Sequence, residues 1–192
     1  MKPVTSIVRC LWVIPRVRQK VLSPSVTKEE LAYIAGFLDG DGCIMLQLIY
    51  RHDYVFGYQI RASIVFYQKT KYTSFLESLK EKLKYGYIRQ RNDGICEYTI
   101  VGVEPVEKVL KLISPYLKLK KPQADLAMKV LAKMPGRGRK LTKELIVSLA
   151  QEVDKFAGLN YSKKRTNTSI SLINFLKSHH LLDPVETDPQ SR

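Results

Sequence analysis

No stretch of this chain constrains its fold more than Thr27–Gly42, TKEELAYIAGFLDGDG. Thr27 and Glu30 have capping-box spacing, in which each side chain satisfies a backbone N–H left free by the first helical turn. Leu31, Ile34, Ala35 and Leu38 recur at i, i+3, i+4 and i+7, a stripe that a helix must bury. Ala32 and Gly36 fall four apart on a second face and carry almost no side chain, which lets another backbone approach closely. The helix is expected to stop at Asp39-Gly40-Asp41-Gly42, where two glycines permit a sharp turn. Carboxylates there are electrostatically awkward, because a helix C-terminus carries partial negative charge. Spacing alone leaves two readings. One is ordinary Asp-Gly turn chemistry leading into a strand. The other is a carboxylate and helix-end carbonyls that together hold a hard divalent cation.

Charge narrows the class of partner. A formal net charge of +14 and a pI near 9.7 point to a polyanion. The chain's 192 residues suit one domain with a full core, and the hydrophobic fraction of 45% is that of a soluble globular protein. Cys10, Cys43 and Cys96 form neither a C-x-x-C pair nor a secreted disulfide framework, which fits a reducing compartment. No apolar run approaches the roughly 20 residues of a membrane span, so no membrane partner is expected. Residues 1–25 carry Lys2, Arg9, Arg16, Arg18 and Lys20 before any acid, together with the single tryptophan, Trp12. Such composition resembles an organellar transit peptide, although Pro3, Pro15 and Pro24 break any long helix; a leader without function is the other reading. The expected organisation is this basic extension at 1–25, one domain at 26–180 and a polar tail at 181–192.

Beyond the first helix the periodicity changes. Ile44, Leu46, Leu48 and Tyr50 alternate with Met45, Gln47, Ile49 and Arg51, and Tyr58, Ile60, Ala62, Ile64 and Phe66 alternate with Gln59, Arg61, Ser63, Val65 and Tyr67. Residues 52–57 connect these two strands. Thr70 is expected to cap a helix whose stripe is Tyr72, Phe75, Leu76, Leu79 and Leu83. Two more strands flank the turn Asn92-Asp93-Gly94. Arg89 and Arg91 lie on one face of the first, and Glu97 and Thr99 on one face of the second, opposite Cys96, Tyr98 and Ile100. A helix marked by Val106, Val109, Leu110 and Ile113 completes αββαββα. Three further helical segments follow, marked by Ala127–Met134, by Ile146–Ala157 with Thr142 as a cap, and by Leu172–Leu176. The basic linkers at 135–140 and 162–166 suit phosphate contact or solubility. An antiparallel sheet of this kind buries one face under helices and leaves the other open. Gln47, Arg51, Gln59, Arg61, Ser63, Tyr67, Arg89, Arg91, Glu97 and Thr99 fall on the open side, and Arg and Gln pair bidentately with guanine and adenine in a major groove.

Ile34–Gly42, IAGFLDGDG, resembles the LAGLIDADG motif of homing endonucleases, and the chain is similar to their single-motif, homodimeric branch. QKT at 68–70, GYIRQR at 86–91 and PYLKLKKPQA at 115–124 match in order, and the similarity runs from about Val26 to about Lys177. The resemblance implies an α+β LAGLIDADG fold, αββαββα with a saddle-shaped four-stranded antiparallel sheet plus C-terminal helices. It implies a site-specific double-strand DNA endonuclease of intron homing, working as a homodimer on a long, pseudo-palindromic target by Mg²⁺-dependent hydrolysis. Mn²⁺ and Ca²⁺ are alternative occupants of the metal site. By residue, the resemblance makes Asp41 and the carbonyl of Gly40 the metal contacts, and Asp41, Gln68 and Lys120 the catalytic set. Gln47, Arg51, Gln59, Arg61, Tyr67, Arg89, Arg91, Glu97 and Thr99 become DNA contacts, Ala32 and Gly36 the dimer seam, and Asp39 a structural residue. One position departs: the family often has Arg or Lys where this chain has Tyr72, so that either Lys71 compensates or activity is reduced. The competing readings are an intron-RNA maturase and a non-cleaving DNA-binding protein on the same fold. A general RNA-binding protein is disfavoured, since the sheet lacks the paired surface aromatics such domains use. Chloroplast or mitochondrion is the expected location.

Overall fold

The computed structural model describes residues 26–136, 140–160 and 165–182. The basic extension at 1–25 and the tail at 183–192 lie outside the described residues, as do 137–139 and 161–164 within the two basic linkers. The first helix, α1 (Lys28–Asp41), opens on the expected capping box, with both reciprocal bonds between Thr27 and Glu30 in place. It buries Ile34, Ala35 and Leu38. Strands β1 (Gly42–Tyr50) and β2 (Tyr58–Lys69) follow, then α2 (Thr73–Leu83), β3 (Tyr87–Gln90), β4 (Ile95–Val101) and α3 (Val103–Ile113). This is the αββαββα order. The helices α4 (Lys121–Lys133), α5 (Lys143–Asp154) and α6 (Ser169–Ser178) complete the described fold. No helix among the described residues is long and apolar enough to cross a membrane.

The four strands form one antiparallel sheet in the order β1-β2-β4-β3. Its helix-facing side supplies Ile44, Leu46, Leu48, Ile60, Ala62, Ile64, Phe66, Cys96, Tyr98 and Ile100 to a single core shared with all six helices. Phe66 stacks on Tyr98 on one side and on Phe37 of α1 on the other. The buried Tyr98 hydroxyl donates to the Tyr85 carbonyl at 2.7 Å, which satisfies a polar group that burial would otherwise penalise. Burial also pushes the Tyr98 phenol well above its ordinary pKa.

Four local expectations are corrected. The Asp39–Gly42 stretch is not a sharp turn: α1 runs through Asp41, and Gly42 caps it in extended backbone. Glycine is needed at 42 for space, since a Cβ there would lie 2.4 Å from Leu38 Cδ1 and 2.9 Å from the Leu38 backbone. Thr70 caps nothing. It begins a short 3₁₀ turn, its hydroxyl has no partner, and α2 starts at Thr73 without a side-chain cap. Tyr72 leaves the apolar stripe and is exposed, under the ammonium of Lys71 at 4.8 Å from the ring centroid. Tyr50 points to the core side but is 51% exposed, at the end of the strand, packed on the rings of Tyr58 and Phe175.

Gly86 turns the chain from α2 into β3 at φ +82°, and a Cβ there would meet the Thr99 carbonyl oxygen at 2.2 Å. Neither the dihedral nor the space admits a side chain. Gly86→Ala is therefore expected to lower stability by about 2 kcal/mol or more, read as a shift in the urea midpoint with an unchanged slope.

Candidate DNA interface and acidic helix end

The two aspartates at the end of α1 have opposite environments. Asp39 turns inward and accepts three backbone N–H groups, from Lys118 at 2.7 Å, Leu119 at 3.1 Å and Lys120 at 2.8 Å. Burial acts to raise the Asp39 carboxyl, but these three bonds outweigh it and hold the pKa below the ordinary 3.8. The Lys120 ammonium closes the loop by donating to the Asp39 carbonyl oxygen. A helix C-terminus favours a cation there. The awkward charge is thus compensated by residues 118–120, far along the chain.

Asp41, one helical step beyond Gly40, is exposed and has no hydrogen-bond or ion-pair partner among the described residues. Gly40 is open as well, with nothing within 4 Å of a built Cβ. Gln68 arrives through strand register. Gly42 pairs with Phe66, so Gln68 sits two residues further along β2, level with the end of α1. Its Oε1 accepts the Lys69 N–H at 3.0 Å, which leaves the amide NH₂ available. Lys120 thus reaches the last turn of α1, and Gln68 lies at the same end of the sheet as the start of β1. A cleft of about 1070 Å³ runs from Asp39, Gly40 and Lys120 to Gln47, Arg61 and Arg165.

On the sheet's open face, register arranges the side chains in rows. Ile49–Gln59 and Gln47–Arg61 form two rows at one end, and Tyr67–Glu97–Arg89 forms a row at the other. Between them run Met45–Ser63–Val101 and Cys43–Val65–Thr99–Tyr87. Ser63 and Val65 are on this open face, yet each is only 3% exposed, because β2 is a central strand and its neighbours cover it. Thr99 is similarly buried. The face is polar at both ends and close-packed in the middle.

Its arginines are not loose. Arg89 donates through Nε and Nη2 to Glu97 Oε2 at 3.2 and 2.8 Å, and Arg91 donates through Nη1 to Glu97 Oε1 at 3.0 Å. Arg91 also pairs with Asp93 at 2.7 Å. Glu97 is consequently a buried clamp for two guanidiniums, with its side chain 10% exposed while that of Arg89 is 63% exposed. Such charge-assisted bonds fix direction as well as energy. Arg61 donates weakly to Gln47 at 3.4 Å. Arg51 lies just past β1, on the connecting loop. Tyr67 is half-buried, and burial raises its phenol. On α1, Ala32 and Gly36 are exposed, and Gly36 has nothing within 4 Å of a built Cβ.

Sequence reasoning missed Arg165. Its Nη1 donates to the Val153 carbonyl of α5 at 2.7 Å and its Nη2 to the Leu46 carbonyl of β1 at 3.2 Å. Nothing local in the sequence signals a contact across that separation. It also missed Asp53 and Asp93, both of which follow an arginine by two residues.

The family model described as LAGLIDADG endonuclease matches residues 34–129. The DNA endonuclease I-CvuI of Chlorella vulgaris is 37% identical over 139 residues, which cover 71% of this chain and 83% of that protein. The DNA endonuclease I-CreI of Chlamydomonas reinhardtii is 34% identical over 148 residues, 77% of this chain and 89% of that protein. The crystal structure of I-CvuI in complex with its target in the presence of Ca matches with a TM-score of 0.73 at 34% identity, over 78% of this chain and 94% of that chain. In a second structure, I-CvuI holds an I-CreI target in the presence of Mg with the DNA not cleaved. The archaeal I-Vdi141I bound to DNA, at 16% identity and a TM-score of 0.69, shares the fold.

Because the Asp39 pKa is depressed on folding, its contribution to stability is complete above its ordinary 3.8 and is lost as pH falls through the lower native value. Asp39→Ala, which orphans three N–H donors, is expected to cost about 1–3 kcal/mol at neutral pH. The gap from wild type should narrow in unfolding curves taken below pH 3.8.

Proposed function

Since the chain belongs to the LAGLIDADG endonuclease family, we propose that it is a site-specific DNA endonuclease that assembles as a homodimer and cuts both strands of a long, pseudo-palindromic duplex. The observation that carries this reading is the free, exposed carboxylate of Asp41 on the same helix as the bare Ala32–Gly36 face. One chain has one such helix end, and two cuts need two. An isologous contact through Ala32 and Gly36 supplies the second by symmetry and brings two Asp41 carboxylates together below the duplex.

Two carboxylates that near each other repel unless a cation lies between them. Among the described residues no three His, Cys, Asp or Glu side chains converge on a metal site. In this reading one protomer contributes the Asp41 carboxylate and the Gly40 carbonyl. That sparse oxygen set suits a hard ion such as Mg²⁺, which keeps several waters and takes phosphate oxygens as further ligands. When bound, the divalent ion polarises the phosphoryl oxygen and lowers the pKa of bound water.

This chain's own residues do the positioning. The NH₂ of Gln68 is free to orient a water for attack at phosphorus. Lys120 spends one of its N–H donors on the Asp39 carbonyl and keeps the others for charge that develops on the phosphate. The open sheet face lies along the major groove, with Gln47, Gln59, Arg61, Arg89 and Arg91 turned to base edges. Glu97 holds Arg89 and Arg91 in place, and Tyr67 and Thr99 lie on the same face as further contacts to the duplex. Residues 1–25 are basic and contain no acid, as a transit peptide does, and we place the protein in an organelle on that ground.

Asp41→Asn should bind its selected target as wild type does and cut neither strand; normal cutting by this variant removes the assignment. Selection of cleaved duplexes from a randomised pool, with and without Mg²⁺, should return a palindromic consensus only with the metal. Gly36→Leu has room within one chain and none across a helix seam. It should fold, sediment as a monomer and lose double-strand cleavage.

A further inference from the structure

The loop between β1 and β2 holds an arrangement that the proposed chemistry does not use. Arg51 N–H donates to the Gly57 carbonyl at 2.8 Å, Gly57 N–H to Tyr54 at 2.8 Å and Tyr54 N–H to Arg51 at 3.1 Å, so the loop is closed by its own backbone. Its base is pinned from below. Phe175 of α6 packs against the rings of Tyr50 and Tyr58 and fills the space beside Gly57, where a Cβ would lie 2.3 Å from the ring. On this rigid support the Arg51 guanidinium donates from Nε to Asp53 Oδ1 and from Nη2 to Asp53 Oδ2, both at 2.9 Å, and lies 5.6 Å from the Tyr54 ring centroid.

The stereochemistry of that pair is informative. A guanidinium has two usable forks, one formed by Nε and Nη2 and the other by Nη1 and Nη2. Asp53 occupies the first and leaves the second, end-on fork free. The end-on fork spans the O6 and N7 acceptors of guanine in a major groove. Exposed ion pairs contribute little to stability, and both partners here are about half exposed. A carboxylate beside a polyanion also lowers general affinity. Neither effect gives Asp53 a use, whereas orienting Arg51 does.

We infer that Asp53 is a specificity-determining residue: it fixes Arg51 side-on, so that the free end-on fork reads a guanine toward the outer end of each half-site. This inference rests on the reading of the sheet as a major-groove surface, but not on cleavage. The test is therefore a binding selection, with the full chain and a randomised duplex pool. Wild type should enrich guanine at a symmetric pair of positions that Arg51→Ala no longer selects. Asp53→Ala should lower the guanine preference at those same positions by ~10-fold or more, leave selectivity elsewhere unchanged and bind unrelated DNA no more weakly. Asp53→Asn, which keeps the shape but not the charge, should fall between. The inference is overturned if Asp53→Ala retains the guanine preference that Arg51→Ala erases, or if Arg51→Ala alters no position. Failure of wild type to cut its selected site with Mg²⁺ would remove the nuclease reading and leave this base preference standing.

Discussion

The Asp39 carboxylate is the joint on which the site depends. Three backbone N–H groups from residues 118–120 converge on it, and the Lys120 side chain returns to its carbonyl. A helix end is thereby tied to a loop about eighty positions away, and the tie puts a cation where the helix dipole wants one. Because Asp39 is consumed in this way, Asp41 is left free. Two identical side chains, separated by one glycine, become a structural anchor and an unpartnered surface carboxylate through the direction in which the helix points them.

The sheet follows a comparable economy. Its polar ends are built from arginines held by carboxylates, and its centre from small or apolar groups packed against each other. Glu97 of β4 serves two guanidiniums at once, which fixes the spacing of Arg89 on β3 and Arg91 just past it. A surface meant to recognise a pattern gains from such preparation, since flexible side chains lose more entropy on contact. In the proposed reading, the basic charge of the chain draws the duplex in and the held arginines select among sequences.

Much of this was legible in the sequence because it is periodic. The capping box of α1, the alternation of β1 and β2, the Asn92-Asp93-Gly94 turn and the stripes of α2 and α3 are repeated local signals, and repetition makes them robust. The errors fell on single residues whose fate is settled from elsewhere in the fold. Thr70 looked like a cap, but a 3₁₀ turn intervenes before α2. Asp-Gly looked like a turn, but Leu38 presses on Gly42 and the chain leaves the helix extended. Tyr50 obeyed its alternation and still emerged from the core, because the strand ends there. For the site, the motif named the candidate residues; it could not say that Glu97 would be buried beneath two arginines or that Ser63 and Val65 would be covered. Those outcomes depend on which strand is central, a property of topology and not of any one segment.

Arg165 has a consequence for assembly. β1 is an outer strand of the sheet, and outer strands expose backbone groups that can template an additional strand from another molecule. By occupying the Leu46 carbonyl while anchored on α5, this guanidinium interrupts that ladder at its midpoint. β3, the opposite border, is only four residues long. With both margins unsuited to strand addition, fibrillar stacking through the sheet edges is disfavoured.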